Sequence, residues 1–130
     1  MHRDIKSENI IFENKNNLKI QIVDLGFSTY FHEYQNLFSR CGTPGYIAPE
    51  ILRNKDYDEK VDIFSLGVIF YIILTARMPF NGKDVNDIIK KNRVGKVSYN
   101  FEAYGIEVSN ESQDLLQKML AFDAQDRVTA

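Results

Sequence analysis

His2-Arg3-Asp4-Ile5-Lys6-Ser7-Glu8-Asn9, completed further on by Asp24-Leu25-Gly26, is the stretch whose reading decides the fold. Between its two parts, Ile10-Ile11-Phe12 is a short apolar run and Leu18-Lys19-Ile20-Gln21-Ile22 alternates with period two, while Asn14-Lys15-Asn16-Asn17 is turn material. This pattern predicts a β-hairpin. Antiparallel strands joined by a tight turn bring their outer ends together, so Asn9 and Asp24 are expected to lie close enough to share one hard cation such as Mg²⁺. On the loop before the hairpin, Asp4 can accept a proton, Lys6 can neutralise charge, and Asn9 can offer a carbonyl oxygen.

Outward from that stretch, the segment 27–40 has neither helical nor strand periodicity and reads as a loop. Cys41-Gly42-Thr43-Pro44-Gly45-Tyr46-Ile47-Ala48-Pro49-Glu50 carries two glycines and two prolines, which fix an irregular backbone suited to cradling an extended peptide. Residues 61–76 (VDIFSLGVIFYIILTA) are apolar nearly all round, which predicts a helix buried on every side and capped by Asp58. A membrane span is excluded because the run is shorter than the roughly 20 residues needed and contains Asp62. Val85, Ile88 and Ile89 mark one face of a shorter helix, with Lys90, Lys91 and Arg93 toward its C-terminus. Residues 94–109 read as loop. Asn110 and Gln113 then look like a capping box ahead of a core stripe of Leu115, Leu116, Met119 and Leu120.

His2-Arg3-Asp4-x-Lys6-x-x-Asn9, Asp24-Leu25-Gly26 and Ala48-Pro49-Glu50, in this order and spacing, resemble the catalytic loop, magnesium loop and activation-segment end of a eukaryotic protein kinase. Lys6 together with Gly42-Thr43-Pro44-Gly45-Tyr46 resembles the serine/threonine branch. The segment 41–50 and the Met119-Leu120-x-x-Asp123-x-x-x-Arg127 ending are similar to the calcium/calmodulin-dependent and calcium-dependent group. The resemblance implies ATP and Mg²⁺ as cofactors and a protein Ser/Thr hydroxyl as substrate. It makes Asp4 and Lys6 catalytic, Asn9 and Asp24 the metal ligands, and Ile11 a residue beneath the adenine. Thr43 and Gly45 belong to substrate docking. Ser39 is an activation-loop site for an upstream kinase, its phosphate pairing with Arg3. His2 and Leu25 take a packing role, Asp62 holds the loop backbone, and Glu50 pairs with Arg127. Leu25 departs from the usual Asp-Phe-Gly, and Ser7 stands where relatives often have proline.

The resemblance covers the whole chain and about half of the family's domain. The expected fold is mainly α: a kinase C-terminal lobe with a small β-hairpin at the catalytic loop and the N-terminal lobe absent, making residues 1–130 a partial kinase domain. Without residues to cover the nucleotide, this fragment is expected to be inactive alone. A catalytically dead interaction module and a pseudogene product are the alternatives. With 130 residues, 44% hydrophobic content and a net charge of −2, there is no electrostatic footprint for nucleic acid or a membrane surface. One cysteine allows no internal disulfide, and an intracellular, cytoplasmic setting is expected.

Overall fold

The hairpin forms where the alternation places it, in a shorter form. In the computed structural model, which describes residues 1–30 and 41–130, β1 (Ile10–Phe12) pairs antiparallel with β2 (Ile20–Ile22), Ile10 opposite Ile22 and Phe12 opposite Ile20. Asn14 Oδ1 accepts from Asn16 N–H and Asn17 Oδ1 from Lys19 N–H. These local bonds engage the turn backbone, and Leu18, expected in the second strand, lies outside it and is 89% exposed. At the other end, Val23 N–H donates to Asn9 O at 2.9 Å, carrying the pairing one step past the strands toward the loop.

The rest is helical. α1 (Pro49–Leu52) is a single buried turn with proline at its start, where the missing N–H costs nothing. α2 (Lys60–Thr75) begins as Asp58 Oδ1 accepts from Lys60 N–H at 3.0 Å, and ends where Ala76 turns left-handed at φ 53°. Val61, Phe64, Val68 and Tyr71 on α2 form the core with Phe80, Phe101, Leu116 and Leu120. Burial is not complete all round: Ile73, on the opposite side of the helix from Phe64, is 74% exposed.

α3 (Val85–Val94) packs against α1, its start held by Asp84 Oδ1 accepting from Asp87 N–H at 2.8 Å and its end by Gly95 at φ 68°. In the stretch expected to be loop, residues Glu102–Tyr104 make one 3₁₀ turn. α4 (Asn110–Met119) is capped by Ser109, not Asn110: Ser109 has the extended backbone a cap requires, and its Oγ accepts from Ser112 N–H. Of the expected stripe, Leu116 and Leu120 are buried, whereas Leu115, one position round the helix, faces outward. α4 meets α2 at Gly67, where an added Cβ would stand 2.9 Å from both Leu120 Cδ2 and Met119 Cβ. Among the described residues no helix is long and apolar enough to cross a membrane.

Candidate active site

The loop 2–9 is held from below by α2. The Asp62 carboxylate accepts from two successive backbone amides, His2 N–H at 2.7 Å and Arg3 N–H at 2.9 Å. A carboxylate a few residues into a buried helix is costly unless its oxygens are occupied, and here each takes a loop amide. Arg3 sits at φ 69°, a left-handed conformation that side chains other than glycine rarely adopt, so the loop needs such an anchor. Its guanidinium donates through Nε to Phe27 O and through Nη1 to Tyr57 Oη. The His2 ring bridges loop and hairpin: Nε2 donates to Val23 O at 3.1 Å and Nδ1 accepts from Asp4 N–H at 3.3 Å. Both contacts are met by the tautomer with its proton on Nε2.

Asp4, 4% exposed, has both carboxylate oxygens engaged. Thr43 Oγ1 donates to Oδ1 at 2.7 Å, Lys6 Nζ lies 2.9 Å from Oδ2, and Lys6 Nζ also donates to Thr43 Oγ1 at 3.0 Å. Burial pushes the Asp4 carboxyl up, but the Thr43 hydroxyl and the Lys6 ammonium together outweigh it and hold it below the ordinary carboxylate value. The hydrogen bond to Asp4 raises Lys6 in turn. A carboxylate kept ionised beside a retained ammonium and a hydroxyl is suited to receive a second hydroxyl and to balance charge on an incoming anion.

Asn9 is buried, and its Nδ2 donates to Asp4 O at 2.9 Å, which fixes the amide so that Oδ1 is the oxygen left for another ligand. Asp24 directly follows Val23, the residue paired with Asn9, and so lies one step from it across the hairpin. It is exposed and left-handed at φ 65°, with Oδ1 accepting from Gly26 N–H at 3.3 Å. One carboxylate and one carboxamide oxygen fit a hard divalent cation that takes its remaining ligands from phosphate and water. Among the described residues no three His, Cys, Asp or Glu side chains gather into a dedicated metal cage.

The other expected residues fall in several places. Ile11 on β1 is 43% exposed. Leu25 is largely exposed, sharing with His2 the lining of a cavity of about 550 Å³. It thus stands beside His2, the neighbour named for its packing role. Gly45 is buried at φ 94°, with Met78 Cε 2.8 Å from where a Cβ would stand. Beside the first turn of α2, Arg127 and Glu50 form a two-pronged pair through Nη1–Oε1 and Nη2–Oε2. Arg127's remaining donors go to the carbonyls of Ala121, Lys60 and Phe122, so all five N–H groups are used. Ser39 lies outside the described residues.

Two side chains escaped the sequence reading. Ser65 on α2 donates to Tyr46 O at 2.9 Å. Asn92 on α3 accepts from Gly45 N–H at 3.0 Å and donates to Ile47 O at 2.7 Å. A signal for Asn92 was present: it stands four residues after Ile88, on the face that periodicity assigns to apolar side chains. Ser7 also meets Tyr46, Oγ to Oη at 3.0 Å.

Residues 1–130 match the protein kinase domain family. The chain is 42% identical over 132 residues to calcium-dependent protein kinase 4 of Plasmodium berghei (strain Anka), covering 100% of this chain and 25% of that protein. To calcium-dependent protein kinase 5 of Plasmodium falciparum (isolate 3D7) it is 44% identical over 129 residues, 98% of this chain and 22% of the relative. To myosin light chain kinase A of Dictyostelium discoideum it is 38% identical over 132 residues, 100% of this chain and 44% of the relative. The chain thus spans less than half the length of each of these relatives. With a family match that runs from end to end, and with kinases of the serine/threonine group aligned along its length, this chain belongs to the protein kinase family.

Proposed function

We propose that residues 1–130 form the C-terminal lobe of a serine/threonine protein kinase, which transfers the γ-phosphoryl group of ATP to a hydroxyl of a protein substrate. The observation that carries this reading is the meeting of Thr43, from the segment 41–50, with Asp4 and Lys6 within 3.0 Å, on the loop that also presents Asn9. Asp4 receives the substrate hydroxyl and its proton, and Lys6 balances charge on the phosphoryl group in transfer. Asn9 and Asp24 hold Mg²⁺, which when bound neutralises charge on the ATP phosphates. Ile11 offers its exposed side to the adenine. Thr43 and Gly45 belong to the loop against which the substrate lies.

The test is transfer of labelled γ-phosphate, with Mg²⁺, to peptides presenting Ser, Thr or Tyr, using the protein at the length of its relatives. Ser and Thr peptides are expected to be labelled, and Asp4→Asn to lower kcat by at least about a hundredfold. No labelling by the unaltered protein, or full activity in Asp4→Asn, would overturn the reading. The isolated 130 residues are expected to be inactive. Activation by an upstream kinase at Ser39, through a phosphate facing Arg3, belongs to the same proposal; equal activity of Ser39→Ala would remove that part.

A further inference from the structure

We infer that Asn92 is a positioning residue for the peptide substrate: its buried amide holds the backbone of residues 45–47 and thereby sets the path a substrate chain follows past Asp4. The inference rests on the proposed phosphoryl transfer.

On α3 Asn92 is the one buried residue, at 0% exposure. Its single planar amide meets a backbone donor and a backbone acceptor two residues apart, Gly45 N–H at 3.0 Å and Ile47 O at 2.7 Å, which fixes the loop's rotation as well as its depth. Between those contacts Tyr46 O accepts from Ser65 Oγ, and Tyr46 N–H donates to Thr43 O. Gly45, closed in by Met78, leaves the loop no room to slide. The same loop reaches the reacting centre: Thr43, two residues before Gly45, donates its hydroxyl to Asp4, and a Cβ on Gly42 would stand 3.0 Å from Arg3 O. A peptide hydroxyl brought to Asp4 must carry its flanking residues along this backbone. Leucine at 92 would bury comparable volume but leave both loop groups without partners.

The test is steady-state kinetics on the full-length protein carrying Asn92→Leu or Asn92→Asp, beside Leu116→Val, which loosens the contact of α4 with α2 without touching the loop. Asn92→Leu is expected to raise the KM for peptide about tenfold while the KM for ATP stays within about twofold, and kcat at saturating peptide within about threefold. Asn92→Asp, which keeps an acceptor for Gly45 N–H but turns a second acceptor toward Ile47 O, is expected to show the same selective rise and carries the comparison should the leucine variant fail to fold. Leu116→Val, assayed at the same interval below its Tm, is expected to leave the peptide KM unmoved. An unchanged peptide KM in the Asn92 variants, or a joint rise in both KM values that Leu116→Val reproduces, overturns the assignment. Absence of transfer by the unaltered protein overturns the underlying reading of the site instead.

Discussion

The hairpin and the helical core beneath it solve the problem of holding a backbone in opposite ways. β1 and β2 have three residues each, and Ile11, Phe12, Ile20 and Ile22 on them are all between 43% and 61% exposed. Two strands that short are marginal by their own packing. Around α2, Phe64, Val68 and Leu116 are at 0% exposure, and the ionic groups there have their hydrogen bonds filled: Arg127 by Glu50 and three carbonyls, Asp62 by two loop amides. The difference teaches that the loop 2–9 is anchored by the helices below through Asp62, while the strands beside it add the Val23 contacts to His2 and Asn9. Asp62 on α2 and Asn92 on α3 hold the backbone of residues 2–3 and 45–47 by hydrogen bonds that the strands do not supply.

Removing the buried Arg127 guanidinium is the largest expected break in this arrangement. Arg127→Ala strands a buried carboxylate and should lower unfolding stability by about 3–5 kcal/mol in denaturant titration. A loss under about 1 kcal/mol would mean that Glu50 finds water or another partner. Asp62→Ala comes next, at about 3 kcal/mol, since two charge-assisted bonds are lost and two amides are bared. Hydrogen exchange sharpens the comparison here: the His2 and Arg3 amides should lose protection while α4 keeps its own, and uniform loss across the molecule would contradict the division between loop and core.

Acidity separates the regions more gently. Because Asp4 is held below the ordinary value of 3.8 in the folded protein, its contribution is fully present above that pH and is lost as pH falls through the folded value. Lys6, raised above its ordinary 10.5, contributes below that pH and loses its effect as pH climbs past it. Asp4→Asn should therefore narrow its stability gap to the unaltered protein on acidification below 3.8, as followed by Tm against pH; a constant gap would deny the Thr43 and Lys6 contacts their role. The smallest effect belongs to the hairpin turn: Leu18→Ser should change stability by no more than about 0.5 kcal/mol. A larger loss would show that the turn packs against something.

Much of the frame could be read directly. The period-two run and its Asn-rich turn gave the hairpin, and the long, mostly apolar run gave α2 to within a residue at each end. Two of the misreadings occurred where neighbouring residues are chemically equivalent candidates. Ser109 and Asn110 both make caps, and only the extended backbone at Ser109 chose between them. Leu115 and Leu116 are equally apolar, and the angle at which α4 meets α2 buried the second.

By itself, then, the sequence determined the local pieces: where the hairpin turns, which run becomes the central helix, and that Asp4, Lys6 and Asn9 share one short loop. Such features depend on interactions across a few residues, so periodicity and turn chemistry express them. Only the tertiary structure supplied partners that neither periodicity nor resemblance named: Gly45 with Asn92 at 47 residues and Tyr46 with Ser65 at 19. A hydrogen bond of 3 Å tolerates little displacement, and where its partner stands follows from how α2 and α3 pack beneath the loop, which no window of neighbouring residues records.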